Sequence, residues 1–142
     1  MSLVQIILVV IVAFIIGCSS VNDQIETYQP VVACSLIGLV TGHLELGVML
    51  GGSLQLITMG WANVGAAMAP DASLAAVAST IILILGGQGT KGIGPAIALA
   101  VPLAVAGLAL TMFVRTATVF IAHAMDSRAE AADIAGIERW HF

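Results

Sequence analysis

Apolar residues run through this chain in blocks, and the polar interruptions between the blocks set the elements it predicts. Residues 2–21 are apolar except for Gln5, Gly17 and a few small residues near the end of the run. At about 1.5 Å per helical residue such a run crosses a hydrocarbon layer of roughly 30 Å. It has no basic start, so it reads as a retained transmembrane helix and not as a secretory signal. Residues 22–29 form the first polar break. Asp23 and Glu26 there either sit in a solvated turn or face a polar cavity beside a solute site.

Residues 31–42 are apolar, but as a helix they reach only about 18 Å, too short to cross. His43 and Glu45 interrupt them before residues 46–57 resume the apolar character. Two short halves separated by charge predict a hairpin or a discontinuous helix. Gly38 and Gly42, and again Gly47 and Gly51, recur at a spacing of four, which gives each half a small-residue face for close helix packing. Glu45 is expected at an interface, because a carboxylate deep in lipid is costly.

Residues 51–74, GGSLQLITMGWANVGAAMAPDASL, concentrate the polar groups. Gln55, Thr58, Asn63 and Asp71 lie between paired glycines and a proline. An ordinary spanning helix has no use for that mixture, whereas a short, broken helix turns such groups toward a solute. Residues 73–85 are again a short apolar block, followed by the run GGQGTKGIGP. That run lacks the lysine–hydroxyl pair of a phosphate-binding loop and does not follow a strand. A flexible re-entrant turn accounts for it better, with Gln88 as its side chain suited to a solute. Residues 96–114 are long enough to span, with Pro102 expected to kink them. From Arg115 the texture becomes alanine-rich and charged, which reads as an amphipathic helix leaving the bilayer or lying on it.

Composition adds the setting. The chain is 60% hydrophobic and 8% charged, against about a quarter charged in soluble domains, and a small domain leaves much of its surface outside. The fold class is therefore an all-α integral membrane protein. It has several transmembrane helices, short re-entrant or broken helices, and a C-terminal amphipathic helix. The membrane domain 1–142 divides into a helix at 1–21, broken helices at 31–95, a helix at 96–114 and an amphipathic segment at 115–142. Three of the four Lys and Arg lie from Arg115 onward, which weakly favours a cytoplasmic side for that end. A net charge of −4 offers no basic footprint for nucleic acid. Cys18 and Cys34 lie in apolar runs and read as buried free thiols.

The candidate chemistry is binding. Amides both donate and accept, and a carboxylate accepts two hydroxyl donors, so Gln55, Asn63, Asp71 and Gln88 suit a polyol. Trp61 offers a ring face to a pyranose, and Asp23 and Glu26 are secondary candidates. Each has a plainer reading. Asp71 after Pro70 is placed to cap a helix, Asn63 to bond across helices, and Trp61 to anchor at an interface. His43, His123 and His141 are scattered, without metal-ligand or catalytic spacing. The residues point to a solute-binding membrane subunit with no catalytic nucleophile, phosphoacceptor, metal or cofactor of its own.

The segments GGSLQLITMGWANVGAAMAPDASLAAVASTI, GGQGTKGIGPAIALAVPLAVAG and TMFVRTATVFIAHAMD resemble the IIC component of the mannose–fructose–sorbose phosphotransferase system. The likeness reaches back through QPVVACSLIGLVTG to the first helix and covers essentially the whole chain. It implies a sugar permease of the bacterial cell membrane that works by group translocation. A hexose of the mannose, fructose, sorbose or N-acetylhexosamine type would be carried by an elevator-like movement. A phosphohistidine on a separate cytoplasmic IIB domain of IIAB would then phosphorylate it. The resemblance further implies pairing with a IID membrane subunit, in a trimer of heterodimers. This sequence departs from mannose-type members in carrying an amide at Gln55, where they commonly have a carboxylate. Family members also continue into a second membrane half after the amphipathic segment. The chain is thus expected to be an N-terminal half, a split subunit, or a structural subunit that packs with IID without transporting alone.

Overall fold

A computed structural model describes residues 2–22, 26–61, 64 and 67–136. The described elements are helices: α1 (Leu3–Asn22), α2 (Pro30–Thr41), α3 (Leu44–Thr58), α4 (Ala72–Gly86), a 3-10 turn (Gly89–Gly92) and α5 (Ile93–Glu130). The chain separates into two compact units, Met1–Leu108 and Ala109–Phe142.

In the first unit, α2 and α3 form the hairpin that the charged break at His43 and Glu45 predicts. Pro30 opens α2 at its first turn, where a missing N–H costs nothing. Gly42 closes it at φ 81°, with His43 N–H bonded to the Gly38 carbonyl at 2.7 Å and Gly42 N–H to that of Leu39 at 3.2 Å. This is a Schellman cap, which needs a left-handed residue. Gly42 is therefore a cap, and not part of a packing face as its spacing from Gly38 suggested. The other three glycines do bring the two helices together. A Cβ on Gly38 would stand 3.1 Å from the Gly47 Cα, and one on Gly51 would stand 2.8 Å from the Pro30 carbonyl oxygen. One on Gly47 would run into the Cys34 carbonyl oxygen.

The core that α4 and the start of α5 complete is small in side chain. Ala33, Cys34, Ala75, Ala76, Ala96, Ala100 and Ala104 surround Ile16, Leu50, Leu54 and Leu83. Buried hydroxyls spend their donors on backbone carbonyls, Ser79 on Ala75 at 2.6 Å and Thr80 on Ala76 at 2.7 Å. Satisfying them internally suits an interior without water. Cys34 is buried and Cys18 is exposed, both as free thiols. The expectation of two buried thiols is thus corrected at Cys18, which lies on a face of α1 that no other described helix covers.

The second unit continues α5, which runs without a break through Arg115. No glycine or proline occurs in 115–130, and the change from apolar to charged texture there does not interrupt backbone hydrogen bonding. Leu110, Phe113, Val119 and Phe120 are exposed. In the last turn of α5, Arg128 pairs with Asp133 beyond the helix end at 2.9 Å. The Gly136 N–H and then the Arg128 side chain hold the Asp133 carboxyl below its ordinary range. Among the described residues, two stretches are long and apolar enough to cross a membrane, Leu3–Ser20 and Gly89–Glu130, while α2, α3 and α4 are shorter apolar helices.

Candidate functional site

The polar groups gather where helices begin and end. The chain leaves helical geometry after Thr58 and re-enters it at Ala72. Within that connection Gly60 has φ 93°, and Val64 and Ala67 exchange two backbone hydrogen bonds of 3.1 Å. Among the described residues, the stretch 51–74 is therefore the end of one helix, a connection and the start of a second helix.

Gln55 sits one turn before the end of α3 and reaches across to the start of α2. Its Nε2 donates to Gln29 Oε1 at 2.7 Å, and its Oε1 accepts the Val31 N–H at 3.3 Å. Gln29 in turn donates to Glu26 Oε2 at 3.2 Å. A chain of amides thus runs from the Glu26 carboxylate to a first-turn N–H of α2, one of the donors that a helix leaves without an internal partner. Glu26 is exposed, at φ 59°. Replacing Gln55 with leucine strands Val31 N–H and Gln29 Oε1, and should cost about 1–3 kcal/mol. Gln55→Glu keeps the acceptor for Val31 but forces Gln29 to turn its amide away from Glu26. A smaller loss of about 1 kcal/mol is expected. Thermal unfolding in detergent separates the two.

Asp71 caps α4. Its Oδ1 accepts from Ser73 N–H at 3.0 Å, Ser73 Oγ at 2.6 Å and Leu74 N–H at 3.0 Å. Its own N–H donates to the Ala104 carbonyl of α5 at 2.9 Å. Gly107 allows the approach, because a Cβ there would stand 2.7 Å from Asp71 Cβ and 3.2 Å from Oδ2. The capping reading of Asp71 is realised, and its second carboxylate oxygen faces the Gly107 side. Trp61 is half-buried against the core cluster, with its backbone N–H on the Thr58 carbonyl at 2.9 Å.

Gln55 and Asp71 thus flank the connection between α3 and α4, each tying a helix end to a neighbouring helix. Gln88 is not with them. It follows the other end of α4, about 20 Å from Asp71 at 1.5 Å per residue, exposed at the start of the 3-10 turn. Asn63, Asp23 and His141 lie outside the described residues. Gln29, Ser73, Ala104 and Gly107 complete the arrangement and went unread in the sequence. Only Gln29 before Pro30 and Ser73 two residues after Asp71 carried a local signal, that of helix starts. His43 and His123 are exposed, and no three metal-ligating side chains cluster among the described residues.

A family model described as "PTS system sorbose-specific iic component" matches residues 3–142. The chain is 55% identical over 141 residues to the fructose permease IIC component of Bacillus subtilis, covering 99% of this chain and 51% of that one. It is 48% identical over 140 residues to a sorbose-specific EIIC component of Klebsiella pneumoniae, covering 99% and 52%. Among solved structures, it superposes with a TM-score of 0.86 and 46% identity on a chain of the mannose transporter ManYZ in complex with microcin E492. That match covers 99% of this chain and 56% of the other. The chain spans about half the length of the curated relatives it matches.

Proposed function

We propose that this chain, which belongs to the sorbose-specific IIC component family of the phosphotransferase system, supplies the sugar-recognising portion of a membrane permease. In this reading it crosses the bacterial cell membrane several times. It takes a hexose of the mannose, fructose, sorbose or N-acetylhexosamine class and passes it to a separate IIB for phosphorylation. A IID subunit completes the membrane part, and the family's trimer of heterodimers and elevator-like movement are the assembly and motion proposed with it.

One observation carries this: the connection between α3 and α4, with Gln55 and Asp71 at its ends, in a chain whose helices are apolar. Gln5 of α1 donates to the Thr41 carbonyl at the tip of the α2–α3 hairpin, at 3.3 Å. The start of α2 then lies about 17 Å farther along, at 1.5 Å per residue. With α1 spanning the bilayer, the Gln29–Gln55 contact stands below the end of α1, inside the layer. Irregular backbone at that depth is tolerated only where protein buries it or a cavity is lined by it. Asn63 and the free edges of the Gln55 and Asp71 side chains are the hydroxyl-binding groups proposed; Gln88 stands too far from them to share one sugar in this arrangement.

The test is hexose titration into the intact membrane complex. Saturable binding of one hexose class is expected, weakened about tenfold by Asn63→Ala, the equivalent of one lost hydrogen bond of about 1.4 kcal/mol. No saturable binding of any hexose would end the reading. The second reading, a subunit that packs without recognising sugar, draws on the fact that both Gln55 and Asp71 already serve as caps.

A further inference from the structure

The run GGQGTKGIGP that joins α4 to α5 has no part in the sugar cluster, yet it borders a groove of about 90 Å³. Ile82, Leu83 and Gly86 of α4 form one wall and Pro95, Ala96 and Leu99 of α5 the other. Gly92 forms the floor, because a Cβ there would stand 2.8 Å from Leu83 Cδ1 and 3.3 Å from Gln88 Cβ. Gln88 is the one amide on the rim. A hexose needs several hydrogen-bonding partners, and these walls offer almost none.

Beside Gly92 stands Lys91. It is exposed, and it is the only basic residue of Met1–Leu108. Residues 72–125 contain no aspartate or glutamate. The one ion pair among the described residues is Arg128–Asp133. An exposed cation, without an ion-pair partner among the described residues, therefore directly precedes Gly92 of an apolar groove between α4 and α5.

We infer that this groove is a binding site for an anionic phospholipid. One acyl chain lies between α4 and α5, and the phosphate rests on the Lys91 ammonium with Gln88 as a second donor. Charge selects the headgroup and apolar walls select the tail. A soluble phosphate satisfies only the first, and an apolar peptide only the second. The inference rests on the membrane placement in the preceding reading and not on sugar recognition.

The experiment uses the intact membrane complex, delipidated in detergent and supplied with phosphatidylglycerol or phosphatidylcholine of the same acyl chains. Native mass spectrometry counts the lipid retained. The wild type should retain phosphatidylglycerol in preference by about fivefold, the weight of one basic residue at an anionic headgroup. Lys91→Gln should bring the ratio close to one, and Lys91→Arg should keep it. Gly86→Leu fills the groove without strain, because nothing lies within 4 Å of a Cβ at Gly86, and it should lower retention of both lipids. Equal retention by the wild type, an unchanged ratio in Lys91→Gln, or full retention in Gly86→Leu each overturns the inference. Competition by glycerol phosphate at the same concentration as the lipid would do so too. Hexose binding on the same samples is expected to stay at the wild-type value in all three variants. Its absence from the wild type would count against the sugar reading and leave the lipid counts to be read on their own.

Discussion

Replacing Gly47 with valine is expected to leave almost no folded chain in the membrane fraction. Gly47 is buried on α3 at the point where α2 passes closest. The atoms a side chain would meet there are the Cys34 carbonyl oxygen and the Gly38 Cα, the latter at 3.1 Å. Both belong to backbone, so no rotamer change relieves the clash and the hairpin must open. Overpacking ordinarily costs about 1–3 kcal/mol, and more when backbone has to move. Opening the hairpin also removes the surface that α4 packs on, so the loss is expected to reach the roughly 5–15 kcal/mol that holds a fold. Gly52 is the control on the same helix. Nothing lies within 4 Å of a Cβ there, so Gly52→Val should accumulate nearly as the wild type does. Membrane-fraction yield and unfolding in detergent read both, and equal yields for the two variants would show that α2 and α3 are not in backbone contact.

The second large effect separates the two roles of Asp71. In Asp71→Asn the amide oxygen still accepts from Ser73 and Leu74, and asparagine caps as well as aspartate. Unfolding should therefore shift by less than about 0.5 kcal/mol. If the carboxylate also receives sugar hydroxyls, phosphorylation-coupled uptake by the intact complex should fall about tenfold or more, since charge-assisted bonds are roughly twice as strong as neutral ones. Asp71→Ala should lose both, with about 1–2 kcal/mol of stability gone along with the cap. A packing subunit gives a different pattern, in which uptake follows stability: wild-type rates in the asparagine variant and reduced rates only in the alanine one.

Much of the fold was legible because its signals are local. The hairpin followed from two apolar blocks too short to cross and the charge between them. The start of α4 followed from Pro70-Asp71, and the first helix from its uninterrupted length. What escaped the sequence depends on partners far along the chain. Gln55 reads as a free amide until Gln29, 26 residues away, is found across the helix pair. Gly107 reads as one small residue among many until Asp71 is seen packed against it. Cys18 looked buried because its neighbours are apolar, but within a membrane helix apolar neighbours say nothing about which face is covered. That the spanning stretch before Arg115 and the charged stretch after it form one continuous α5 was open for a related reason. Hydropathy marks where solvent begins, whereas a helix ends at a breaker or a cap, and 115–130 contains neither glycine nor proline.

Pro102 gives α5 a mechanical character that its length conceals. Its ring removes the amide that would brace the Ala98 carbonyl, so stiffness drops just below the turn where the Asp71 N–H meets Ala104. The Asp71 amide acts there as a strut set against the weakest point of a long rod. Flexing of α5 at that point would pull on the hydrogen bond that ties it to the leading end of α4.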